Sequence, residues 1–151
     1  MPKSKSKKKS TFTVISRSEA ETMKIAEDLA GRVKAPVFIC LRGGLGCGKT
    51  VFAKGFAGSL GIAGKKIKSP TYTFVREYKI GRKKLYHFDF FRIENLDDLM
   101  TVELREIFEK KNAIILMEWP ERIKEILPAG AREVLFEYVD EKTRKITLTN
   151  D

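Results

Sequence analysis

Beyond its first ten residues, the chain alternates short apolar runs with segments of helical period. Residues 11–16 (TFTVIS) alternate as a half-buried strand does, and Ser18 stands as a helix N-cap ahead of Glu19 and Glu21. Met23, Ala26, Ala30 and Val33 recur at helical spacing, which predicts one amphipathic helix running to about Arg32. After Pro36, residues 37–41 (VFICL) form a continuous apolar run, as expected of a central parallel strand buried on both faces. That run leads straight into Gly43. From Lys49 the period is helical again, with Phe52, Phe56 and Leu60 four apart and Gly58 and Gly61 as stop signals.

The middle of the chain reads as strand. Residues 71–80 are β-branched and aromatic, Gly81-Arg82-Lys83 is a turn, and residues 85–91 (LYHFDFF) are again extended. A parallel pair would need a crossover of at least about ten residues, so this pair is expected to be an antiparallel hairpin inserted into an α/β chain. Asn95-Leu96-Asp97-Asp98 opens a helix through Phe108, and residues 113–117 (AIILM) are a second buried strand, ending in Glu118-Trp119-Pro120. A short helix carries Ile123, Ile126 and Leu127 and stops at Pro128. Residues 134–139 and 145–149 make a last hairpin, and no internal repeat is visible.

Composition adds limits. The 151 residues suit one domain of ordinary size, and 42% apolar residues, ten of them Phe, supply a core. No apolar run approaches the roughly 20 residues that span a bilayer, so a soluble protein without a membrane role is expected. The two cysteines, Cys40 and Cys47, have neither disulfide-framework nor zinc spacing, and no apolar h-region follows the basic N-terminus, so the expected location is cytoplasmic. The formal charge is +10, yet Lys3, Lys5, Lys7, Lys8 and Lys9 supply half of it. Residues 1–10 therefore read as a basic, disordered tail, and residues 11–151 as a single domain.

The strongest chemical signal is GGLGCGKT. Gly43, Gly48, Lys49 and Thr50 match the phosphate-binding pattern G-x-x-x-x-G-K-[ST], with Gly44, Leu45, Gly46 and Cys47 between them and Val51 just after. Glycines let the backbone approach phosphate, and the loop amides with the positive end of the next helix stabilise its charge. Lys49 can reach the β and γ oxygens, while the Thr50 hydroxyl suits Mg²⁺. A buried strand before the loop and an amphipathic helix after it complete the context, so the expected class is an α/β, P-loop NTPase-like three-layer fold with a mixed sheet and antiparallel hairpin insertions. ATP and Mg²⁺ are the expected ligands.

Such a site needs a further acid, usually at the end of a neighbouring strand. Glu118 follows AIILM directly, and Asp89 lies within HFDFF; a salt-bridged strand residue is an equally good reading of Asp89. His87, the only histidine, reads as a packing or hydrogen-bonding residue and not as a base. Cys47 reads as a small loop filler, the Phe88, Phe90 and Phe91 cluster mostly as core with a partner contact open for the residues beside Asp89, and Trp119 as a packing anchor with an interface role open.

Taken in order, GGLGCGKT, Ser69-Pro70-Thr71-Tyr72-Thr73, His87-Phe88-Asp89 with Arg92, Glu118-Trp119-Pro120 and Leu127-Pro128 resemble the TsaE (YjeE/YdiB) family. The resemblance implies a small P-loop ATPase, weak alone, that supports synthesis of threonylcarbamoyladenosine in tRNAs reading ANN codons. It implies TsaD and TsaB as protein partners, tRNA met only indirectly or weakly, and ATP used for repeated turnover rather than for carbamoyl transfer. By the same likeness, Lys49, Asp89 and Glu118 are catalytic, and Thr50 with Glu118 holds Mg²⁺. Ser69, Pro70, Thr71, Tyr72, Thr73 and Trp119 form a switch or partner segment, and Glu19, Thr22 and Arg144 lie near the nucleotide base. The family loop usually reads GDLGAGKT, so Gly44 and Cys47 depart from it. Two other classes fit the bare P-loop: a small-molecule kinase, and a tRNA-binding module with a structural nucleotide.

Overall fold

The continuous apolar runs fold into the middle of a sheet. The computed structural model describes residues 10–63 and 74–150. Along the chain come β1 (Ser10–Ser16), α1 (Glu19–Ala30), β2 (Val37–Arg42), α2 (Lys49–Ser59), β3 (Val75–Ile80), β4 (Lys83–Asp89), α3 (Asp98–Phe108), β5 (Ala113–Glu118), a 3-10 helix (Pro120–Ile126), β6 (Arg132–Tyr138) and β7 (Arg144–Asn150). The seven strands form one mixed sheet in the order β1-β7-β6-β2-β5-β4-β3. β2 pairs in parallel with β5 on one side and β6 on the other, and β4 pairs in parallel with the far side of β5.

Both expected hairpins are antiparallel, β3 with β4 and β6 with β7. Each hairpin also lends the parallel core one strand, β4 to β5 and β6 to β2. Residues 85–90 are all buried, so both faces of β4 are covered, as a central parallel strand requires. The local pattern defines a hairpin but not the neighbour that its second strand takes. β4 also ends at Asp89, short of the expected extension to Phe91, because Asp89 Oδ1 accepts a bond from Phe91 N (2.9 Å) and turns the chain. Residues 71–73, the expected start of the first hairpin strand, lie outside the described residues, as do Ser69 and Pro70.

Alternate strand residues divide the core into two layers. Ile39, Leu41, Leu85, Ile114, Leu116 and Val134 pack with α1 and α2, whereas Cys40, Tyr86, Phe88, Ile115 and Met117 pack with α3 and the 3-10 helix. Helices therefore cover both faces. Phe52 and Phe56 of α2 are completely buried, each worth about 1.5–3 kcal/mol of transfer free energy. Ser18 caps α1, its hydroxyl accepting from Glu21 N (3.1 Å), while the Glu21 carboxylate returns to Arg17 N (2.6 Å). The helix closes at Ala30, slightly before Arg32, as Gly31 N bonds Glu27 O and Arg32 N bonds Leu29 O. Among the described residues, no helix is long and apolar enough to cross a membrane.

Burial pushes the Cys40 thiol from 9.0 up to about 12, with the Glu133 carboxylate adding to the shift. The unfolded chain ionises this thiol first, so the folded state loses stability as pH rises from about 9 towards 12. Urea midpoints between pH 8.5 and 10.5 should therefore fall more steeply for the parent than for Cys40→Ala. Equal slopes would contradict the shift.

Candidate functional site

The loop after β2 is held from three directions. Arg42 forks onto Glu133 of β6 (2.6 and 3.2 Å) and fixes where the loop begins. Gly43 passes so close to β6 that a Cβ there would lie 2.8 Å from the Phe136 carbonyl oxygen. From the last hairpin, Arg144 Nη2 donates to Gly46 O (3.1 Å). Gly48 (φ 95°) is the N-cap of α2 in the left-handed region, and no side chain caps the helix. The first amides of α2 thus have no intrahelical partner and present donors to an anion. Gly44 has no comparable need for glycine, since a Cβ there would meet only Cys47 Sγ at 3.9 Å.

Lys49, the first residue of α2, is 5% exposed. Its Nζ donates to Gly43 O (2.6 Å) and lies 4.0 Å from the centre of the Trp119 ring. Burial lowers its pKa from the usual lysine value, while the Glu118 and Asp89 charges pull it back up. Trp119 takes a left-handed backbone (φ 56°), a strained conformation for a bulky residue, and this turn at the end of β5 sets the ring over Lys49. Phe91 stands beside that ring at 5.0 Å.

Sheet register brings the two acids together. Leu41 of β2 is opposite Glu118 of β5, which is opposite Asp89 of β4, so all three strands end along one line at their carboxyl edge. Parallel α/β sheets bind ligands at that edge. Glu118 and Asp89 are both buried. His87 is buried as well, and its Nε2 lies 2.8 Å from Glu118 Oε2, within hydrogen-bond distance of the carboxylate. It is thus a hydrogen-bonding residue, one strand across from the acid that it holds. His87→Ala is expected to cost on the order of 2 kcal/mol by leaving a buried carboxylate without this partner, and His87→Gln, which can still donate, to recover part of it. Urea unfolding checks both; equal losses would deny the hydrogen bond its role.

A cavity of about 770 Å³ opens over these groups. Leu45, Gly46, Cys47, Gly48, Lys49, Thr50 and Val51 line one side, and Asp89, Glu118 and Trp119 another. Glu19, Thr22 and Arg144 border it too, whereas Gly43 and Gly44 lie outside its lining. Arg17, Phe91 and Lys142 also line the cavity, and of these only Phe91 stands out in the sequence. Phe91 read as core beside Phe88 and Phe90, yet only those two are buried. Arg17 and Lys142 lie in no motif and reach the cavity only through the sheet's folding; the position of Arg17 just before the N-cap was the available hint.

The residues present fit a triphosphate and a hard divalent cation. The loop amides and the buried ammonium are anion donors, and Thr50 and Glu118 offer hard oxygen ligands in the same cavity. Among the described residues, no three of His, Cys, Asp and Glu gather as a metal cluster. The arrangement instead suits a cation held by one or two side chains together with substrate phosphates.

A mixed sheet whose central parallel strand leads through a glycine-rich loop into the N-terminus of a helix defines an α/β domain of P-loop type. Residues 16–146 match the model of the family described as threonylcarbamoyl adenosine biosynthesis protein TsaE, and the chain belongs to that family. Similar relatives are the tRNA threonylcarbamoyladenosine biosynthesis proteins TsaE of Bacillus subtilis, 38% identical over 85% of this chain and 79% of that protein, and of Aquifex aeolicus, 36% identical over 89% and 93%. The crystal structure of YdiB from Bacillus subtilis superposes with a TM-score of 0.76 at 31% identity, covering 96% of this chain and 88% of that one.

Proposed function

We propose that this chain binds ATP, hydrolyses it slowly, and in doing so acts as a switch on a TsaD–TsaB complex in the cytoplasm during tRNA threonylcarbamoyladenosine synthesis. The observation that carries this reading is the meeting of buried Lys49, Asp89 and Glu118 with the phosphate loop around one cavity. The names of the relatives supply the pathway.

In this reading the loop amides and Lys49 bind the β and γ phosphates, and Lys49 leaves Gly43 O to do so. Thr50 and Glu118 would hold Mg²⁺, which when bound neutralises charge on the phosphates. His87 keeps the Glu118 carboxylate turned to its task, and Asp89 orients the attacking water near the γ-phosphate. Arg144 and Glu19 border the base end. Trp119 rests on Lys49, so a phosphate that takes up the ammonium also disturbs the ring, giving nucleotide occupancy a route to the partner through Trp119.

The test is phosphate release and threonylcarbamoyladenosine formation in a reconstituted mixture with TsaD and TsaB, comparing the parent with Lys49→Ala and Glu118→Gln. Both variants should lose phosphate release and sustained product formation. Product formation that does not depend on this chain would refute the reading.

A further inference from the structure

Positive charge is unevenly placed on the folded chain. Of 30 Lys and Arg, five precede residue 10, and the remaining 25 against 20 Asp and Glu leave +5 for residues 10–151. Three short segments hold more than that excess. Residues 31–36 contain Arg32 and Lys34, and residues 81–84 contain Arg82, Lys83 and Lys84. Residues 109–112 contain Lys110 and Lys111 beside Glu109, the one acid in the three segments. Together these segments carry +6, so the rest of residues 10–151 sums to −1.

The topology gathers the three segments. They lead into β2, β4 and β5, which are consecutive in the sheet and parallel, so their first residues share one edge. Val37 is opposite Ile114, and Lys84 is opposite Ala113. Lys84 N donates to Asn112 O and Asn112 Nδ2 to Arg82 O, both at 3.1 Å, joining two of the segments directly. With strands about 4.8 Å apart, the result is a basic rim about 10 Å wide before side-chain reach is added. It lies on the amino edge of the sheet, about 20 Å along the strands from the carboxyl edge that holds the nucleotide cavity.

The charge is only partly compensated, by Glu77 and Glu106 near Lys84 and Lys110. Lys84 is 3.8 Å from Glu77, and Lys110 donates to the Tyr86 hydroxyl. Among the described residues, no carboxylate forms a salt bridge with Lys34, Arg82, Lys83 or Lys111. None of the exposed large hydrophobic residues lies in the three segments either, so the rim has no apolar anchor for a lipid surface.

We propose that this rim is a contact surface for the phosphate backbone of RNA, separate from the nucleotide cavity. Lysine-rich charge with no exposed aromatic side chain for bases to stack on suits backbone contact, which gives affinity with little base specificity. The choice of RNA over another polyanion rests on the function proposed above.

The experiment is anisotropy of a labelled, unmodified tRNA transcript with the full-length chain at 50–200 mM KCl. Each phosphate contact contributes roughly 0.7–0.9 to the slope of log affinity against log salt. Arg82→Glu/Lys83→Glu and Lys110→Glu/Lys111→Glu should each lower affinity at least about tenfold and flatten the slope by roughly 1.5. The milder Arg82→Gln/Lys83→Gln should fall between, and keeps the test readable if a reversal unfolds the chain. Lys24→Glu/Lys124→Glu makes the same net-charge change off the rim and should lose far less.

The proposal is overturned if the parent does not bind tRNA, if the off-rim pair loses as much as the rim pairs, or if replacing the five tail lysines by serine removes all binding while the rim variants retain it. It is equally overturned if phosphatidylserine vesicles bind more tightly than tRNA and lose that binding in the rim variants. Phosphate release from ATP should be unchanged in the rim variants. Its absence in the parent would sink the proposed ATPase without touching the tRNA measurement.

Discussion

Lys49→Ala is expected to lower ATP affinity and phosphate release at least about a hundredfold while leaving the fold as stable as the parent or more so. The activity loss follows from removing a preorganised charge at the phosphates, where one such donor is worth about 3–4 kcal/mol. The stability expectation runs the other way from that for most buried residues. Lys49 is held charged in a largely buried position, and burial lowers its pKa. Its ammonium therefore costs folding free energy at neutral pH, and that cost is relieved as pH rises from the lowered folded pKa to the unfolded value of 10.5. Alanine removes the cost and with it this upward slope. Triphosphate would restore the lysine pKa, so binding at a pH between the lowered and the usual lysine values should take up protons in the parent and not in the variant. Calorimetry in buffers of different ionisation enthalpy measures that uptake, and urea titration the stability. A variant that still releases phosphate at the parent rate would remove Lys49 from the site.

Gly55→Ala is expected to destabilise the protein by about 3 kcal/mol, at the upper end of overpacking effects. Helix propensity alone gives the opposite sign, because alanine is favoured over glycine within a helix by about 1 kcal/mol. The structure decides between them. A Cβ at Gly55 of α2 would lie 2.6 Å from both Cα and O of Met23 in α1. These are backbone atoms, so no rotamer change can relieve the clash, and the two helices must move apart. Because α2 begins at Lys49, the movement would also reach the phosphate loop, and Gly55→Ala should weaken nucleotide binding. Thermal unfolding with and without ATP checks both effects; a raised melting temperature would show that propensity wins.

Much of the architecture is legible in local pattern. The apolar runs at residues 37–41 and 113–117 are the buried strands β2 and β5, and the spacing of Phe52 and Phe56 identifies the buried face of α2. The residues of the phosphate loop are recognisable because their chemistry is contiguous in the chain. Asp89 was harder to read, since a strand carboxylate beside an arginine serves structure as readily as a site. His87 looked like a hydrogen-bonding residue, but nothing local indicated Glu118 as its partner 31 residues away.

The chain's own pattern therefore establishes the element types, the phosphate loop and the presence of acids at strand ends. Tertiary structure alone decides that β4 joins the parallel core, and that its register sets Asp89 beside Glu118. It also brings Arg17 and Lys142 to one cavity, leaves Gly55 no room for a methyl group, and collects three basic segments on one edge. The physical reason is common to all of these. Periodicity and loop chemistry act over a few residues, whereas strand order and helix approach are set by how whole elements share buried surface, and no short window contains that choice.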